Sequence, residues 1–137
     1  MMIEAELSKI IIDEEKSEQI IILKEKNGAR YLPIVIGINE ASAIKMPLSG
    51  FMPPRPLTHD LICSIFKALD VVLEKVVIDK FLDNTFHAKL YLKDKDSSVK
   101  IVDARPSDSI ALAVRCNAPI FVEEEVLAKS DFFNPEK

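Results

Sequence analysis

Two stretches of the chain bring together side chains able to work on an anion or a phosphate ester. Arg55-Pro56-Leu57-Thr58-His59-Asp60 and Asp103-Ala104-Arg105-Pro106-Ser107-Asp108 each place Arg-Pro ahead of a hydroxyl residue and an acid. Both run on into apolar residues, Leu61-Ile62 in one and Ile110-Ala111-Leu112 in the other, so each is expected to open a helix. Thr58 and Ser107 are expected as N-caps, with Asp60 and Asp108 in the first turn, where an acid suits the positive end of the helix dipole. The same helix tip can hold a phosphate.

These residues support two chemistries. In one, Asp103 and Arg105 form a structural ion pair and the hydroxyls serve only as caps. In the other, Asp103, Asp108 and Asp60 offer hard oxygen ligands to Mg²⁺ or Mn²⁺. Arg105 and Arg55 then stabilise charge growing on phosphoryl oxygens, and Thr58 and Ser107 touch the substrate. His59 lies off the apolar stripe and is either a surface residue or a general acid for the leaving oxygen. Glu40, on a helix rich in alanine, is either solvated or turned towards the site. His87 and the run Glu123-Glu124-Glu125 read as solvated faces.

Other chemistries fall away. With glycine only at 28, 37 and 50 there is no phosphate-cradling loop. Cys63 and Cys116 stand in separate expected helices with no CxxC pair, so they read as reduced, buried thiols of an intracellular protein. The net charge of -4 argues against a non-specific nucleic-acid coat and leaves only local contacts. It also favours a rival class, a non-catalytic anion- or nucleotide-binding module in which both helix starts grip a small anion or a partner's carboxylate.

The elements that must position these residues follow from pattern. The length of 137 residues, 48% apolar, suits a single domain over 1–130 with a frayed tail at 131–137. Alternating apolar residues predict a strand over 2–12, and the dense β-branched run Ile20-Ile21-Ile22-Leu23 one over 19–26, which returns over 30–36 after a tight turn at Asn27-Gly28. A short helix carries Glu40 and is expected to stop at Pro47. A proline-stiffened loop leads to a helix over 58–70 with an apolar stripe of Leu61, Ile62, Ile65, Phe66 and Leu69, stapled by Leu57 and Ile62. Strands follow over 72–82, 85–93 and 99–103, then a central helix over 107–116, a strand over 118–122 and a short helix over 123–129. The fold class is α+β, a mixed, largely antiparallel sheet from two strand meanders with packed helices and a possible internal duplication. No apolar run reaches the roughly 20 residues of a membrane span, and the location expected is cytoplasmic.

Read together, Leu32-Pro33-Ile34-Val35-Ile36-Gly37 with Glu40-Ala41, Pro54 to Leu61, Asp103 to Ala113, and Pro119-Ile120-Phe121-Val122 with Glu124-Glu125-Val126-Leu127 resemble the bifunctional nuclease domain family. Thr85-Phe86-His87-Ala88 resembles that family's hairpin motif, with His87 in place of the usual aromatic. Pro47 departs from it, because the family's helix normally continues there. The resemblance implies an α+β domain that self-associates as a homodimer or higher homo-oligomer, and a nuclease acting on DNA and RNA.

Overall fold

A computed structural model of the chain describes residues 1–13 and 15–129; the expected tail at 131–137 lies outside them. The alternating segments form one sheet. β1 (Met2–Ile11), β2 (Glu18–Glu25) and β3 (Tyr31–Gly37) make the first antiparallel meander, and β4 (Val72–Leu82), β5 (Thr85–Lys93) and β6 (Val99–Ala104) the second. β7 (Ile120–Glu123) joins them, antiparallel to β1 and parallel to β4, in the order β3-β2-β1-β7-β4-β5-β6. The sheet is thus mixed and mostly antiparallel, as the two meanders predict. Asp83 and Asn84, at φ 50° and 61°, make the two-residue hairpin between β4 and β5. The Asn27-Gly28 link is wider than the expected tight turn. Glu25 N–H donates to the Arg30 carbonyl at 2.9 Å, and the Arg30 guanidinium closes back on the Glu25 carboxylate at 3.1 Å.

Four helices pack around the sheet: α1 (Ile38–Leu48), α2 (Thr58–Ala68), α3 (Pro106–Cys116) and α4 (Glu124–Ala128). α3 is the central one, packing against α1, α2, β4 and β5. Its Ile110, Ala111, Leu112 and Ala113 are at most 2% exposed and share a core with Ile21, Leu23, Ile44, Val76 and Ile78. Asn117 closes α3 in the left-handed conformation, with Ala118 N–H on the Ala113 carbonyl at 3.0 Å.

Three further local expectations are corrected. Neither Thr58 nor Ser107 is an N-cap: the caps are Leu57 and Arg105, with Thr58 at the first helical position of α2 and Ser107 at the second of α3. Pro106 takes the first position of α3 because its missing N–H costs nothing there. The stripe on α2 also turns further than expected. Ile62, Cys63 and Phe66 face the core, whereas Leu61, Ile65 and Leu69 are 53%, 45% and 66% exposed. Finally, α1 does not stop before Pro47 but carries it in its last turn. A proline there removes one N–H, the one that would bond to the Ala43 carbonyl. Arg115 Nη1 supplies that carbonyl with a donor at 2.8 Å, which explains how the helix tolerates the residue.

Candidate functional site

The starts of α1, α2 and α3 converge on one cleft of about 750 Å³, floored by Leu90, Leu92 and Val102 of the sheet. Each helix carries an acid at its third position: Glu40, Asp60 and Asp108. In each case the carboxylate lies near the positive helix end, where its charge is favoured. The cations between them decide what the cleft can do.

Arg105, the cap of α3, reaches from one acid to another. Its Nε donates to Asp108 Oδ2 at 2.9 Å and its Nη2 to Asp108 Oδ1 at 3.2 Å, while Nη1 donates to Glu40 Oε1 at 3.3 Å. Gly37 leaves the Glu40 carboxylate room for this, since a Cβ at Gly37 would stand 2.6 Å from Glu40 Oε2. His59, from α2, completes the group with Nε2 on Asp108 Oδ1 at 2.9 Å. Burial pushes the Asp108 carboxyl up, but the hydrogen bonds from Arg105 and His59 outweigh it and hold the group below the usual carboxylate range. Asp108 is therefore ionised at neutral pH, and the Arg105 guanidinium beside it is held above its ordinary value.

Beneath this group lies a second pair that sequence reasoning missed. Arg115, with its side chain 8% exposed, donates from Nε to Asp60 Oδ1 at 2.8 Å and from Nη1 to the carbonyls of Ala43 and Ala111 at 2.8 and 2.9 Å. One guanidinium thus ties all three helices. The other Asp60 oxygen accepts from Leu57 N–H at 3.0 Å, which, ahead of the Arg115 contact, keeps the Asp60 carboxyl below its ordinary value. The seven-residue step from Asp108 to Arg115, two turns along one helix face, was the available signal.

The remaining candidates are scattered around this group. Asp103 borders the cleft, but its carboxylate accepts from Lys89 Nζ at 3.1 Å and its side chain is 78% exposed. Lys89 pairs with Asp103 in register between the buried neighbours Ala88 and Leu90, so both side chains rise from the sheet face away from the helices. Arg55 is exposed and does not line the cleft, whereas Thr58 stands exposed on its rim. Ser107, 5% exposed, lines a neighbouring cleft of about 490 Å³ that shares Glu40 and Arg105 with the first.

The acids do not gather as a metal site. Among the described residues no three His, Cys, Asp or Glu side chains come together as ligands. Asp60 and Asp108 have each given both oxygens to protein donors, and Asp103 faces Lys89. The donor set expected for Mg²⁺ or Mn²⁺ does not fit such an ion.

Because the folded pKa values of Asp60 and Asp108 lie below their unfolded ones, the stability these acids add is present above about pH 4 and lost as pH falls through the lowered values. Urea midpoints are expected to hold between about pH 7 and 5 and to fall below about pH 4, with the acid-side fall reduced in Asp60→Asn.

The described residues contain no helix long and apolar enough to cross a membrane. A family model described as the bifunctional nuclease domain matches residues 21–134. An uncharacterised protein of Mycobacterium tuberculosis strain H37Rv is 44% identical over 128 residues, 93% of this chain and 76% of its own. Bifunctional nuclease 2 of Oryza sativa subsp. japonica is 30% identical over 123 residues, 88% of this chain but 38% of its own length. Bifunctional nuclease 2 of Arabidopsis thaliana is 30% identical over 115 residues, 81% of this chain and 34% of its own.

Proposed function

The chain belongs to the bifunctional nuclease domain family, and from that premise we propose that the cleft between its helix starts hydrolyses phosphodiester bonds of DNA and RNA. The observation that carries this reading is the run Glu40–Arg105–Asp108–His59, assembled from three helices at one opening. An ionised Asp108 on Nε2 holds the His59 ring in one orientation and leaves Nδ1 as its other ring nitrogen. Nδ1 can then carry the proton that the leaving oxygen needs. Arg105 supplies the planar fork that suits phosphoryl oxygens. Its side chain is 64% exposed and its contact to Glu40, at 3.3 Å, is the longest of its three, so an entering phosphate displaces Glu40 and leaves Asp108 in place. Glu40, once released, accepts a proton from the attacking water.

The test is cleavage of single- and double-stranded DNA and RNA by the purified protein, with Mg²⁺ supplied because a chain of net charge -4 meets a polyanion. Cleavage is expected from the wild type and from Asp103→Asn, whose side chain lies on the far sheet face. No cleavage of any substrate would remove the enzyme reading.

The net charge and the engagement of Arg105 by two acids favour one rival, a module that binds mononucleotides without turnover. Calorimetric binding with no hydrolysis distinguishes it. Self-association, the other property proposed, is supported by exposed Leu61 and Ile65 on α2 with Leu69 at its C-terminal cap, and by Ile101 on the edge strand β6. Sizing at several concentrations tests it.

A further inference from the structure

Cys63 and Cys116 are far apart in sequence, and neither takes part in the chemistry above. In the fold their sulfurs stand 3.2 Å apart, one in the middle of α2 and the other at the end of α3. Both are half-buried rather than sealed in the core. Their position matters. Cys63 lies one helical turn beyond His59, and Cys116 directly follows Arg115. The sulfur contact thus crosses the same α2–α3 seam as the His59–Asp108 and Asp60–Arg115 pairs. A hydrogen bond between two thiols is weak, so it gives little reason of its own for two helices to present sulfur to sulfur.

We propose that Cys63 and Cys116 are an oxidation site, closed to an intramolecular disulfide by a small-molecule disulfide, and that the bond clamps α2 on α3. One cysteine sulfur attacks the probe RSSR, its S–H proton passing to solvent, and forms a mixed disulfide with departure of RS⁻. The second cysteine then attacks the protein sulfur of that mixed disulfide and expels another RS⁻. Two S–H bonds and one S–S bond are lost, one S–S bond and two RSH are formed, and the protein is oxidised by two electrons. Burial and the neighbouring Cys116 push the Cys63 thiol up to about 12, so Cys63 is protonated at neutral pH and exchange is slow.

The clamp would restrict the unfolded chain across a sequence separation of 53 residues. An intact bond of that span raises the thermal midpoint on the order of 10 °C in a chain of this size. It also makes the Asp60–Arg115 tie partly redundant.

The experiment incubates the full-length protein with oxidised glutathione, followed by intact-mass spectrometry, peptide mapping and thermal melts. The expected product is a single covalent chain, lighter by two hydrogens, with a Cys63–Cys116 cross-linked peptide and a raised midpoint. Adding a reductant abolishes both. Cys63→Ser or Cys116→Ser should give no such product. Oxidation is also expected to recover most of the midpoint lost in Arg115→Met. A stable glutathione adduct as the end product, covalent dimers, or a protein that stays reduced once prolonged incubation has brought the slow exchange to equilibrium would each overturn the proposal.

Discussion

His59→Ala is expected to lower the turnover of DNA and RNA cleavage by about 10²–10⁴-fold, the usual contribution of a positioned proton-transfer group. The substitution removes the acid for the leaving oxygen and leaves Arg105 free to bind phosphate, so KM should change far less than kcat. Arg105→Ala is expected to cost about 10²–10³-fold, and Arg105→Lys should not restore it, because a point charge cannot span two oxygens as the fork does. Neither side chain is core: Arg105 is 64% exposed, and His59 lies at the cleft with 15% of its side chain exposed. Steady-state kinetics on matched DNA and RNA substrates check this. Equal losses in kcat and in thermal stability would mean that His59 is a structural strut.

Arg115→Met is expected to destabilise the fold by about 3 kcal/mol, roughly a 10 °C fall in thermal midpoint. The side chain is 8% exposed and its loss leaves Asp60 without its cation and the Ala43 carbonyl without a donor. Asp60 is 32% exposed, so water recovers part of its solvation and the figure sits at the low end for a broken pair. The Ala43 carbonyl offers an internal control. Pro47→Ala returns a backbone N–H to it, so the Arg115→Met loss should shrink by about 1 kcal/mol in that background. Urea denaturation of the four proteins in that cycle gives both numbers. A loss under about 0.5 kcal/mol would show that the three helices are held by apolar packing alone.

Much of this architecture was legible because its signals are local. The apolar patterning of β1 to β6 and the apolar density of Ile110–Ala113 each act within a few residues, and each appears in the fold. The Arg-Pro repeat misled over the caps because the two copies sit in different helical frames. Pro56 precedes the cap of α2, whereas Pro106 lies inside α3, and it is the acids, Asp60 and Asp108, that align at the third position. Asp103 shows how a two-residue period places a side chain on a face without showing which face holds the site. Its opposite neighbour, Lys89, had to be known first. The least legible features were those formed over distance: Arg115 reaching Ala43 and Asp60, and Cys63 meeting Cys116, at separations of 72, 55 and 53 residues. No local pattern encodes them; the packing of α1 and α2 on α3 does.

The most direct measurement is a crystal structure with a bound mononucleotide. The phosphate is expected within hydrogen-bonding distance of Arg105, with the Glu40 contact broken and His59 still on Asp108. A phosphate held at the outer sheet face beside Lys89, with Arg105 still bound to both acids, would contradict the assignment of this cleft.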